Sequence, residues 1–297
     1  MLMRVAHQKS GLAQYNRLQQ NTELRSQESD QLIRKQSQKR SASIDEVVPG
    51  VYQIGLAWSN VYLLIDENID EKDEQRKPGS EAALIDTGLQ KDRPMLLAAL
   101  SQLDIRPEQI RTVFLTHAHT DHAGNVAYFA ALGADIAMHS DEARYLTPPR
   151  TTYCPQGISK LMRPLNALIF AGSEMIYPVE RCAVTQRLSD GDFVEAPCGA
   201  LRVIATPGHT PGQVAYYRER DGLLFSGDAI LNVIPIRQKN GLSLPPVFLN
   251  SIPAQAVPSA KRLVELQPNL LCSGHGWTLR DRTAERLEEW IEDKINV

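Results

Sequence analysis

The chain has little that would commit it to a membrane, a secretory route or a polyanion. Its 297 residues hold no apolar run near the roughly 20 residues that span a bilayer. The opening Met-Leu-Met-Arg-Val-Ala-His-Gln-Lys lacks the apolar centre of a secretory signal. Four cysteines, Cys154, Cys182, Cys198 and Cys272, form no CxxC pair. That argues against a zinc knuckle and a disulfide framework, and for free thiols in a reducing, cytoplasmic setting. A net charge of −3 points to no strongly charged partner. Histidine is scarce too, at seven in the whole chain, so where those seven fall is informative.

The charge is unevenly spread. Residues 1–43 carry eight Lys/Arg against three acids, about +5, which leaves about −8 for the remainder. This stretch is Gln-rich and poor in aromatics, and it cannot bury enough apolar surface to offset its ordering entropy. A basic, disordered tail is expected over 1–43, with a tail that touches RNA or membrane as the alternative. Its Arg, Ser and Gln content also suits an organellar transit peptide, against which Glu23, Glu28 and Asp30 count. A catalytic domain is expected over 44–297, and the 42% hydrophobic content suits a globular core.

Within that span short apolar runs alternate with helical patterns. Val51–Ile54, Val61–Ile65 and Ala82–Ile85 are β-rich, and residues 66–80 form a charged loop between two of them. Asp92 is placed to cap a helix with Pro94 in its first turn. Residues 122–132 predict one helix ending at Gly133, 258–267 another, and 281–295 a third with Leu287, Trp290, Ile291 and Ile295 on one face. Strands alternating with helices imply an α/β layered domain.

Five of the seven histidines belong to one pattern. Thr116-His117-Ala118-His119-Thr120-Asp121-His122 follows the apolar run Val113-Phe114-Leu115. His209, Asp228 and His275 each follow another such run by a few residues, where loops at strand ends usually build sites. Neutral imidazole and carboxylate are the donors that zinc and similar metals prefer. His117 and His119 are two apart and point the same way in extended backbone, so they can share an ion that His209 completes. Asp121, His122 and His275 can hold a second, and Asp228 has two oxygens with which to bridge them. His7 and His139 stand outside the cluster and read as structural residues.

The combined motif resembles the metallo-β-lactamase-fold hydrolases. The matching residues are Thr116-His-Ala-His-Thr-Asp-His-Ala-Gly124, Thr206-Pro-Gly-His-Thr-Pro-Gly212, Phe225-Ser-Gly-Asp228 and Ser273-Gly-His-Gly276. Asp86-Thr87-Gly88 is similar to the strand-end motif that supports the metal loop in that family. The resemblance runs from about residue 48 to 280. It implies a four-layer αββα sandwich, two Zn²⁺ ions (manganese or iron being accepted by similar donors), and hydrolysis by a metal-bridging hydroxide. Asp121 would orient the nucleophile and carry a proton to the leaving group, and Asp86 would hold a ligand histidine.

The expected substrate is a small ester, thioester or lactone. Glutathione thioesters are weakened, because their hydrolases continue into a helical domain and only 22 residues follow His275. The tyrosine with which acyl-homoserine lactonases touch substrate is not identified, and β-lactams are disfavoured by the missing signal peptide. A phosphodiesterase or nuclease is the alternative, disfavoured by the acidic folded part. A redox relative would carry Glu in place of His119. Residues 144–180, with Tyr145, Tyr153, Met162, Phe170 and Met175, and 231–250, with Ile234, Ile236 and Pro245 to Leu249, are candidate apolar lids. Arg237 and Lys239 are candidate anion contacts. A small molecule is the expected partner, rather than a membrane or nucleic acid, and a homodimer is left open.

Overall fold

The apolar runs pair into two sheets. The computed structural model describes residues 41–66, 81–147, 168, 172, 175–234 and 239–295. The tail expected over 1–43 and the loop expected over 66–80 lie almost wholly outside them. The first sheet has seven strands in chain order: β1 (Ser43–Val48), β2 (Val51–Gly55), β3 (Asn60–Ile65), β4 (Ala82–Ile85), β5 (Ile110–Phe114), β6 (Asp135–His139) and β7 (Gln186–Leu188). Strands β1 to β4 pair antiparallel, and β4 to β7 pair parallel. The second sheet runs β12-β11-β10-β9-β8, built from β8 (Phe193–Val194), β9 (Leu201–Ala205), β10 (Val214–Arg218), β11 (Leu223–Gly227) and β12 (Leu270–Ser273).

Side-chain alternation explains the layering. Leu64, Ile85 and Phe114 of the first sheet meet Val203, Tyr216 and Phe225 of the second in a core between the sheets. Leu63, Leu84 and Val113 point the other way and pack on helices α1 (Arg93–Gln102) and α3 (Val126–Ala131). On the far side, Ala215 and Leu224 pack on α5 (Pro253–Val264) and α6 (Thr283–Ile295). Strands buried on both faces read as continuous apolar runs, which is why β3 and β4 carry no polar side chain facing solvent. The result is an αββα sandwich. Among the described residues no helix is long and apolar enough to cross a membrane.

Three helices differ from the sequence expectation. The helix expected over 122–132 is two, α2 (Thr120–Ala123) and α3, broken at Gly124-Asn125. The Asn125 side-chain amide donates to the Thr87 and Leu89 carbonyls at 2.7 and 2.9 Å, so it serves the 86–89 turn instead of continuing a helix. Helix α5 begins at Pro253, five residues before the expected 258, and carries Pro258 inside it. Asp92 does sit at the N-cap of α1, but its side chain makes no capping bond.

Polar contacts stitch the two sheets together where β3, β5, β10 and β12 meet. Tyr62 Oη donates to the Ser273 carbonyl and Tyr216 Oη to the Leu115 carbonyl, each at 2.8 Å. Asn60 Nδ2 donates to the Ser273 carbonyl at 2.9 Å, and the Asn60 amide to the Gly274 carbonyl at 2.8 Å. These bonds fix the strand ends that carry the histidine and aspartate loops.

Gly124 is required where α2 passes the 88–90 backbone: a Cβ there would meet the Gln90 nitrogen at 2.5 Å and the Gly88 oxygen at 2.6 Å. Gly124→Ala is therefore expected to destabilise the protein by about 1–3 kcal/mol. Urea unfolding checks this, and an unchanged midpoint would refute the close approach.

Candidate functional site

Seven side chains from four loops converge at one edge of the sandwich. The segment after β5 supplies His117 and His119, and α2 supplies Asp121 and His122. The β9–β10 loop supplies His209, the end of β11 Asp228, and the end of β12 His275. Three groups have donor atoms within 4.8 Å of one another: His117, His119 and His209; Asp121, His122 and His275; and His117, His122 and Asp228. Asp228 reaches both triads. Its Oδ1 lies 3.5 Å from His122 Nε2, and its Oδ2 lies 3.5 Å from His209 Nε2 and 3.2 Å from His275 Nε2.

Neighbours fix which ring nitrogen faces inward. His122 Nδ1 bonds Asp86 Oδ2 at 2.8 Å, His209 Nδ1 bonds Asn250 Oδ1 at 3.3 Å, and His275 Nδ1 bonds the Trp58 carbonyl. Each then turns Nε2 to the cluster. His117 Nδ1 lies 3.0 Å from Thr116 Oγ1. That hydroxyl gives its own proton to Asp86 Oδ2 at 2.8 Å, so it accepts from His117. His117 Nε2 then faces His119 Nδ1 at 3.1 Å. Outer hydrogen bonds of this kind orient ligand histidines in metal sites.

Electrostatics divide the cluster in two. Burial lowers His117 well below its ordinary value, helped by His122 and His119. Burial also lowers His119, helped by His209, and it lowers His209. These rings keep free lone pairs at neutral pH. Burial works against charge on His122 as well, but Asp228, Asp121 and Asp86 outweigh it and push that ring up to about 10. His275 is raised in the same way, chiefly by Asp228. Burial favours the neutral Asp228 carboxyl, yet His275 and His122 hold it well below the usual carboxylate range.

This donor set fits divalent metal ions. Asp228 Oδ1 is buried and accepts no hydrogen bond from the described residues, a costly arrangement unless a cation sits against it. Gly274 leaves room beside it, since a Cβ there would lie 2.3 Å from that oxygen.

Other functional positions carry no local sequence signal. Buried Glu142 sits in helix α4 (Ser140–Leu146); its Oε2 accepts from the Ala118 amide at 3.0 Å and its Oε1 from the Gly212 amide at 2.9 Å. One carboxylate thus clamps the His117–His119 segment to the His209 loop. Ser59 Oγ donates to the Asp121 carbonyl, and Asn250 meets His209 from 41 residues away. His139 accepts from the Asp141 amide at the start of α4 and belongs to none of the three donor groups among the described residues.

A cavity of about 770 Å³ opens over the cluster. From the expected 231–250 lid, Leu231, Val233, Pro245, Pro246 and Leu249 line it, and from the expected 144–180 lid Tyr177 does. Tyr145 instead packs on the outer core, and Lys239 is not among the lining residues. Tyr153, Met162, Phe170, Ile236 and Arg237 lie outside the described residues. Trp58 and Trp277, which sequence reasoning missed, stand in the lining.

Comparison with known proteins gives one consistent picture. A family model described as the Metallo-beta-lactamase superfamily matches residues 76–275. Probable metallo-hydrolase YflN of Bacillus subtilis (strain 168) is 26% identical over 249 residues, covering 80% of this chain and 88% of that protein. A hydroxyacylglutathione hydrolase from Rhodobacter capsulatus is 30% identical over 195 residues, which are 65% of this chain and 59% of the relative. A metallo-beta-lactamase family protein from Thermus thermophilus shares the fold, with a TM-score of 0.61 at 24% identity over 84% of this chain and 81% of that one.

In metal-stripped protein the two groups of histidines pull stability in opposite directions. His117, His119 and His209, whose values are lowered, bind protons more readily unfolded, so stability falls as pH drops below the ordinary 6.5. His122 and His275 are raised and bind protons more readily folded. Their contribution is whole below 6.5 and is lost as pH rises, for His122 through about 10. Urea midpoints are expected to peak near neutral pH. A midpoint that climbs steadily from about pH 5 to about pH 10 would contradict these environments.

Proposed function

Since the chain belongs to the metallo-beta-lactamase superfamily, we propose that it is a dinuclear metal-dependent hydrolase of small esters, thioesters or lactones. His117, His119 and His209 hold one ion, Asp121, His122 and His275 the other, and Asp228 serves both. Zinc is the proposed metal, with manganese or iron accepted by the same donors. The observation that carries this reading is the position of Asp228. Its two oxygens lie within 3.5 Å of His122 from one triad and His209 from the other.

Bound ions of this kind lower the pKa of water and polarise a carbonyl. The chain's own residues do the rest. Asp86 and Thr116 hold His122 and His117 in the tautomers that leave Nε2 inward. Asn250 does the same for His209. Asp121 has 28% of its side chain exposed and lines the cavity, so it is placed to orient water and to carry a proton to the leaving group. Asp228, at 7%, is too enclosed for that exchange.

The Rhodobacter relative's name suggests thioester chemistry, and this chain spans 59% of that relative. A phosphodiesterase reading would call for cations along the substrate path. Among the described residues lining the cavity none is Lys or Arg. A reducing, cytoplasmic setting is supported by Cys182, Cys198 and Cys272, which are free thiols.

Asp121→Ala and His209→Ala are each expected to cut kcat at least about a hundredfold, a scale set by removal of single catalytic groups, with little change in unfolding temperature. Metal analysis followed by assays on lactones, thioesters, phosphodiesters and β-lactams checks the reading. Full activity in either variant, or turnover of phosphodiesters alone, overturns it.

A further inference from the structure

The cavity has a polar floor and apolar walls. His119, Asp121, His209, Asp228 and His275 make the floor. Leu56, Trp58, Leu231, Val233, Leu249 and Trp277 supply the apolar lining. Trp58 is 61% exposed and Trp277 51%, so two of the chain's three tryptophans present indole to water beside the histidine cluster. Large apolar surface left open next to a reactive centre marks a site for an apolar ligand group.

Lys91, a described cation beside two lining residues, is already engaged. Lys91 Nζ lies 4.3 Å from the Tyr177 ring centroid and 5.9 Å from that of Trp58, and it donates to Tyr177 Oη at 3.2 Å. Among the described lining residues no Lys or Arg is left to receive a carboxylate or phosphate. The walls are also braced before any ligand arrives. The Leu56 amide donates to the Ser59 carbonyl at 3.0 Å, the Leu249 amide to the Pro246 carbonyl at 2.8 Å, and the Leu231 amide to the Ser243 carbonyl at 2.9 Å. At about 770 Å³ the space far exceeds what an acetyl group fills.

We propose that this cavity receives an apolar acyl chain, and that the substrate is an uncharged ester or lactone of a medium-length fatty acid. The carbonyl lies at the histidine–aspartate floor and the chain runs between Trp58, Trp277 and Leu249. Water adds to the carbonyl carbon and the bond to the alcohol oxygen breaks. The alcohol oxygen takes one proton from the water and the other passes to solvent; an ester releases the alcohol and the fatty carboxylate separately, and a lactone opens to a single hydroxycarboxylate. The placement of the carbonyl rests on the hydrolase reading. The chain site rests on the cavity alone.

Two measurements separate these. The first uses inert methyl ketones from butan-2-one to decan-2-one, with binding read by tryptophan fluorescence on the full chain. Affinity is expected to rise about two- to threefold per added methylene, short of the roughly fourfold of full burial. Trp277→Ala and Leu249→Asn should flatten that gradient. A wild-type gradient of zero overturns the proposal whatever the variants do. The second compares p-nitrophenyl acetate, butyrate and octanoate with a glutathione thioester on zinc-loaded enzyme. Rising kcat/KM with chain length supports the proposal, and a preference for the charged thioester over the octanoate overturns it. A ketone gradient with no turnover of any ester would sink the hydrolase reading and leave the chain site standing.

Discussion

The site depends first on one buried carboxylate, Asp86. It leaves the end of β4 with φ of 60°, a conformation that costs a non-glycine residue roughly 1–2 kcal/mol. Burying a carboxylate costs more unless its oxygens are bonded. Both costs are offset by three donors. The Thr116 amide and hydroxyl reach it at 2.9 and 2.8 Å, and His122 Nδ1 at 2.8 Å. Through the Thr116 hydroxyl it also governs His117. One side chain therefore sets the tautomers of two histidines, one in each triad. The next residue extends its reach, because the Thr87 amide and hydroxyl both donate to the His122 carbonyl, at 2.6 and 2.9 Å.

The two sheets convert that local order into a converged cluster. His117 to His122 belong to the first sheet's loops, whereas His209, Asp228 and His275 belong to the second's. Without a rigid seam the two sets would not meet reproducibly within a few ångströms. Tyr62, Tyr216 and Asn60 supply the seam beneath the cluster. Glu142 supplies a clamp, joining Ala118 and Gly212 through one carboxylate. The dense positive and negative groups then balance one another. Burial and crowding lower three rings, while Asp228 and its neighbours raise His122.

Chemistry and selectivity are built from different parts of the chain. The floor comes from strand ends held on both sides by packed layers. The walls come from the β2–β3 loop, the segment after β11 and Trp277 beyond β12. The His275–Trp58 bond is one point where they join, since it sets a ligand-type histidine against the backbone of a wall residue. The Trp58 side chain can vary while its carbonyl still holds His275, but Asn250, in the same segment as Leu249, cannot change without releasing His209.

Donor types, their density and the sandwich that carries them are legible in the chain. Three histidines and an aspartate within six residues are a local pattern, and both-face burial writes apolar runs such as Val61–Ile65 and Leu223–Phe225 directly into the chain. The end of the helix expected over 122–132 was less legible. Its break at Gly124-Asn125 answers to the 86–90 backbone, some 35 residues away, which no local window contains. Asn250 behind His209, Glu142 beneath Ala118 and Gly212, and the Trp58 carbonyl on His275 were invisible for the same reason, at separations of 41, 24, 70 and 217 residues. Which nitrogen of each histidine faces inward, and what surrounds the polar floor, follow from folding. Those choices are made by groups that become neighbours only after the two sheets have closed.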